Sequence, residues 1–207
     1  MRTRIDYLAD KNCFTELNES PRLRRQWQDV LEECRQTEAG PEERLRIALL
    51  NVDYVTSFEL PFRLLLTRTP QLIAALREEW DISQKNVVFN DKRFGCVYSL
   101  KASLSGVPDT YRYHLSHRIR RVVGNENTSL PYQQVAREVK APRERLKYAL
   151  EAGLLVTALD GLFWSGSQRI AADVLRLRQS GMPVVTTTVE VHDNLTGTTR
   201  KIPAYHL

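Results

Sequence analysis

A mainly α fold with small β-hairpins, of the α+β class, is what this sequence predicts, and three observations predict it. Apolar residues recur at helical spacing through most of the chain. Two stretches alternate apolar and polar residues around turn-forming residues, the pattern of a hairpin. Prolines and glycines fall between these segments rather than inside them. With 207 residues, 42% of them apolar, the chain can bury a real core and make one or two domains.

The elements follow in order. Ser20 and Pro21 open "SPRLRRQWQDVLEECRQTE", where Leu23, Trp27, Val30, Leu31 and Cys34 share one helical face. That stripe fits either an internal core or the seam of a homodimer centred on Trp27. Gly40-Pro41 breaks this helix and starts a second, with Leu45, Ala48, Leu49 and Val52 inward. Two short helices follow, beginning at Pro61 and Pro70, and "NVVFNDKRFGCVYSL" reads as a hairpin turning at Asn90 to Arg93. Residues 1–105 therefore read as a helical N-terminal domain with a β-hairpin near 86–100. "LKASLSGVPDT" is the boundary, and 110–207 holds basic helices and a C-terminal unit. No exact repeat is visible beyond two groupings of helices and a hairpin.

In the C-terminal unit, "LPYQQVAREVK" reads as a helix from Pro131, and "PRERLKYALEAG" as the next, ending at Gly153 with Leu146, Ala149 and Leu150 inward. Thr157 is the N-cap of a short helix "ALDGLFW", "SGS" makes a turn, and "QRIAADVLRLRQSG" is a third helix buried along Ile170, Val174 and Leu177. Gly181 ends it and Pro183 forbids its return. "VVTTTVEV" places Val185, Thr187, Val189 and Val191 on one face, and "DNLTG" turns it back into "TTRKIPAYHL".

The net charge is +5, and it is concentrated. Between Tyr111 and Leu150 nine basic residues face three acidic ones, a local balance of +6. Three cysteines, Cys13, Cys34 and Cys96, are widely spaced and lack CxxC pairing, which indicates reduced thiols rather than disulfides or zinc. No run approaches the roughly 18 apolar residues of a membrane span, and the first residues carry no signal-peptide stretch, so the expected compartment is the cytoplasm.

The order helix, helix, turn, helix, two-stranded wing over the last third of the chain resembles the winged helix-turn-helix DNA-binding domains of bacteriophage and mobile-element proteins. "TALD", "RIAADVLRLRQSGMPV" and "AYHL" carry the resemblance. The N-terminal helices and hairpin follow the same order, which suggests a second winged-helix-like unit. About 140 residues precede the C-terminal unit, so its role need not follow that of small regulators. The resemblance implies double-stranded DNA as partner. On it, Gln168, Arg169, Asp173 and Arg176 would face the major groove, with Ala172 between them. Ser165 and Ser167 would offer hydroxyls and amides to a phosphate at the helix N-terminus. Thr198, Thr199, Arg200 and Lys201 would reach the backbone or minor groove from the wing, Arg200 foremost. Arg137, Lys140 and Arg143 would add phosphate contacts from upstream.

Catalysis finds no support. His114, His117, His192 and His206 lack the carboxylates or cysteines of a metal site, and no phosphate-loop, dinucleotide, zinc-protease or serine-hydrolase motif is present, so no cofactor is expected. "HRIR" has the HxxR spacing of tyrosine recombinases without a later Arg-His-Tyr arrangement. The reading is a sequence-specific DNA-binding protein, a transcriptional regulator of a phage, plasmid or other mobile element. Two alternatives stand beside it: a replication or partition protein with tandem winged helices, and a non-catalytic module that docks on a host protein.

Overall fold

The computed structural model describes residues 20–89, 91–101, 103–105, 138–167 and 169–207. It is a mixed α+β architecture with two small three-stranded antiparallel sheets. The chain forms two compact units, one drawn mainly from Cys13–Tyr113 and the other mainly from His114–Asn194 and Thr198–Leu207. The expected helix from Pro131, the "HRIR" segment, His114 and His117 fall outside the described residues. No helix among those described is long and apolar enough to cross a membrane.

In the first unit, α1 (Pro21–Gln36) begins where the Ser20 hydroxyl accepts the Leu23 amide at 3.1 Å. Its stripe of Leu23, Trp27, Val30 and Cys34 is buried, with Leu31 at the margin. Trp27 is only 1% exposed, and the Arg63 guanidinium lies 4.7 Å above its ring, so this face is internal core and not a seam between copies. The Cys34 thiol is pushed up to about 11 by burial, which keeps it protonated and inert. Then come α2 (Pro41–Asn51), β1 (Val55–Thr56), α3 (Leu60–Arg63), α4 (Thr69–Leu76), β2 (Ser83–Phe89) and β3 (Lys92–Ser99). The hairpin turns between Phe89 and Lys92, tighter than the sequence suggests, because a bulge at Val87/Val88 shifts the register and lets pairing run on to Phe89↔Lys92.

The second unit contains α5 (Pro142–Glu151), β4 (Val156–Thr157), α6 (Ala158–Asp160), a π turn (Gly161–Ser165), α7 (Ile170–Gln179), β5 (Val185–Asp193) and β6 (Thr198–His206). The single helix expected over "ALDGLFW" is thus one α turn continued by a wider one, closed by the Ser167 amide on the Gly161 carbonyl at 2.9 Å. The widening brings Leu162, Trp164 and Ser165 inside together. The β5 alternation holds, graded from exposed Val185 to fully buried Val191.

The two units repeat one plan at an offset of 101 residues. Pro41, Glu43, Arg44, Leu45, Ala48 and Leu49 on α2 match Pro142, Glu144, Arg145, Leu146, Ala149 and Leu150 on α5. Val55 and Thr56 match Val156 and Thr157, and Leu76 and Arg77 match Leu177 and Arg178. The sheets have equivalent orders, β1-β3-β2 and β4-β6-β5, with Val55 opposite Tyr98 and Val156 opposite Tyr205. A left-handed backbone position is shared too: Leu65 and Gly166, again 101 apart, both adopt positive φ, +54° and +73°.

The shared contacts explain the shared residues. At the strand-to-helix junction Glu59 takes the Thr56 amide at 2.7 Å while Thr56 takes the Glu59 amide at 3.2 Å. Asp160 and Thr157 repeat this reciprocal cap at 2.9 and 3.2 Å. Arg44 and Arg145 are buried, and each turns its Nε back to a main-chain carbonyl just upstream of its helix, Ala39 and Val139 respectively. At the end of α4 Arg77 reaches the Ile82 carbonyl and Gln84, and at the end of α7 the same is repeated. Arg178 reaches the Val184 carbonyl and Thr186, both at 2.8 Å. In each unit an arginine therefore ties the helix to the first strand of the hairpin.

The acids of the two caps differ in what surrounds them. Burial raises both, but Glu59 is held down by Arg63, 3.0 Å away, and by Thr56. Asp160 has only Thr157 to oppose its burial and is pushed up to about 6. A buried acid raised above its unfolded value binds more protons folded than unfolded. Its contribution to the stability of the unit should therefore be full below about pH 4 and be lost as pH rises to about 6. The denaturant midpoint of the wild type should therefore fall, relative to that of Asp160→Asn, as pH rises across that range; the variant keeps an acceptor without the charge.

The close of α7 is equally local. The Gly181 amide reaches the Arg178 carbonyl and the Met182 amide the Leu177 carbonyl, both at 3.0 Å, with Gly181 at φ +91°. A Cβ there would meet nothing within 4 Å, so any cost of substitution is backbone strain alone. Gly181→Val should lower stability by about 1–2 kcal/mol, measured by thermal melting against Ser180→Val, whose backbone is not in that region.

Candidate nucleic-acid interface

α7 presents an unburied face to solvent. Ile170, Val174 and Leu177 are 7%, 1% and 4% exposed, which fixes the opposite strip as Ala172, Leu175, Arg176 and Gln179, spaced i, i+3, i+4 and i+7. All four are exposed, Leu175 at 55%. Arg169 stands at the N-cap with an exposed side chain, next to the same face. Of the residues expected to face a groove, Arg169, Ala172 and Arg176 are exposed on or beside this strip, and Gln168 lies outside the described residues.

Asp173 does not join them. It lies at the flank, where the Ser167 hydroxyl donates to its carboxylate at 2.6 Å and the Arg143 guanidinium approaches to 3.6 Å. It is a structural acceptor that fixes the start of α7, in the first turn where the helix dipole favours an anion. Ser167 is 3% exposed and committed to this bond, and Ser165 is fully buried, so neither hydroxyl faces solvent as a phosphate ligand. The π turn closes the connection between α6 and α7 inward.

On the hairpin, Thr199 and Lys201 are exposed and Thr198 is half-buried. Lys201 lies 3.7 Å from Glu190 across the β5–β6 pair, a contact of little energy at such exposure. Arg200, the foremost expected wing contact, instead pairs with the Asp193 carboxylate at 2.7 Å and is 20% exposed. Upstream, Lys140 and Arg143 are exposed at the start of α5, and Arg137 falls outside the described residues. Arg143, Lys147 and Arg176 also border a shallow groove of about 490 Å³ between α5 and the end of α7, shared with Glu144 and Glu151.

Leu175 and Gln179 were missed by the sequence reading. The signal was present: once Ile170, Val174 and Leu177 are inward, both positions must face out. The equivalent strip on α4 and the residues after it is Gln71, Ala74, Ala75 and Glu78, all exposed, with no basic residue on it. The two units share a plan and differ in the face it displays. No group of histidine, cysteine or acidic side chains among the described residues could hold a metal ion.

Comparison with family models, with curated proteins and with solved structures returned no match to this chain.

The contacts of Asp173 separate support from reading. Asp173→Ala should lower the melting temperature, consistent with loss of about 1 kcal/mol at the helix start. It should leave any preference among DNA sequences unchanged. A changed preference at unchanged stability would place the carboxylate on the binding face after all.

Proposed function

We propose that this chain binds double-stranded DNA sequence-specifically, with its C-terminal unit acting as a winged helix: α7 enters the major groove and the β5–β6 hairpin serves as the wing. The observation that carries the reading is the exposed α7 strip, flanked by Arg169 and Arg176 and set on a helix, short strand, helix, helix, hairpin framework of order β4-β6-β5. A basic helix of ten residues spans about 15 Å, enough to lie across a groove about 12 Å wide. The basic side chains of Lys140 and Arg143 on the same unit supply phosphate neutralisation. Transcriptional regulation of a phage, plasmid or other mobile element is the role we assign to such binding.

The repeat of the plan in the first unit favours a second reading, a replication or partition protein that engages DNA through tandem winged helices. The uncharged and acidic strip of Gln71, Ala74, Ala75 and Glu78 argues that the C-terminal unit supplies the main DNA affinity in either case.

Binding of the full chain to duplex DNA, followed by fluorescence anisotropy, tests the proposal. With three phosphate contacts, raising monovalent salt from about 50 to 200 mM should weaken binding roughly 40-fold. Arg176→Ala should alter preference among duplexes, whereas Lys201→Ala should lower affinity evenly, because base contacts discriminate and phosphate contacts do not. Binding to no duplex at low salt would overturn the reading. A nuclease footprint confined to one half-site per chain favours the regulator, and an extended one the tandem arrangement.

A further inference from the structure

The outward strip of α7 holds an apolar centre that a phosphate-binding helix does not require. Leu175 is 55% exposed, one of few large apolar side chains so open among the described residues, and Ala172 sits one turn before it on the same line. Arg169 and Arg176 border the pair on one side. The acid nearest to them, Asp173, is turned to the flank and engaged by Ser167 and Arg143. The patch is small: one leucine and neighbouring alanines cannot form the apolar centre of a stable protein interface, which buries upwards of about 1,000 Å². Its borders are cationic, which suits a polyanion better than an apolar protein surface.

We propose that Ala172 and Leu175 read thymine 5-methyl groups in the major groove, so that the target of α7 contains successive thymines. This rests on the DNA-binding reading above and names what that site selects. Thymine is the one base that offers an apolar group on the major-groove edge, and alanine-sized or aliphatic side chains are its complement. The spacing is suitable. Residues three apart on a helix rise about 4.5 Å, close to the 3.4 Å step between neighbouring bases on a strand. The small Ala172 lets the helix backbone approach closely while Leu175 extends to the next methyl. Arg169 and Arg176, on the border, remain available to guanine or phosphate beside the thymines.

The test begins by selecting duplexes from a randomised pool with the full-length protein, then making the recovered duplex once with thymine and once with uracil, which lacks only the methyl. Wild type should bind the uracil form about four-fold more weakly for each methyl contacted. Leu175→Ala, a change at an exposed position that leaves the core intact, should reduce that ratio by about four-fold while still melting at the wild-type temperature. Equal binding of both forms by wild type overturns the thymine proposal and leaves DNA binding standing. An undiminished preference for thymine in Leu175→Ala overturns the assignment to this side chain. Failure to recover or bind any duplex overturns the DNA reading and this inference together.

Discussion

Each unit depends on one interaction, the reciprocal cap between a threonine at the end of a two-residue strand and an acid three residues on. Thr56 with Glu59, and Thr157 with Asp160, satisfy main-chain amides that would otherwise be buried without partners at the strand-to-helix junction. The threonines also sit in the sheet, opposite Val97 and Ala204. A single side-chain pair thereby fixes where the sheet ends and where the following helix starts. The angle of α4 or α7 against the hairpin follows, because the arginine at its end is bonded to the first hairpin strand in both units.

The two copies reach this arrangement with different electrostatics. Glu59 has Arg63 beside it, and the same guanidinium covers Trp27, so in the first unit the cap is continuous with the core packing of α1. In the second unit the position equivalent to Arg63 is Trp164, which is buried, and Asp160 keeps no cation of that kind. A buried carboxyl that favours protonation can retain its cap as a neutral group, since its oxygens still accept. The second unit has exchanged a charged contact for apolar volume at the same place.

What the sequence disclosed was local chemistry. Helix starts at Pro21, Pro41 and Pro142, the Thr157 cap, the stripe of Ile170, Val174 and Leu177, and the Gly181 stop all depend on residues within one or two turns, and all are found in the structure. What stayed hidden depends on tertiary context. Ser165 and Ser167 look like open turn residues until the π turn draws them in, and Asp173 looks like a surface acid until Ser167 and Arg143 meet it. Arg145 counts as surface charge in a basic stretch, yet it is buried and bonded to Val139, with its pKa lowered by desolvation. The repeat is faint in the sequence because identity is concentrated where side chains are inside or capping, and those positions alternate with surfaces that differ.

Leu65 and Gly166 show what such a difference entails. Both occupy a left-handed backbone position just before α4 or α7, but Gly166 does so freely, whereas Leu65 is only 3% exposed and fills core space. Leucine there accepts roughly 1 kcal/mol of backbone strain. Removing it would relieve that strain and open a cavity that costs more, about 2–5 kcal/mol. Placing leucine at Gly166 would impose the strain alone, since a Cβ there meets only the Pro142 ring, at 4.0 Å. Each unit is therefore suited to its own residue at this position, and neither exchange is neutral. The repeated plan thus contains a pair of equivalent backbone positions whose residues cannot be swapped without cost.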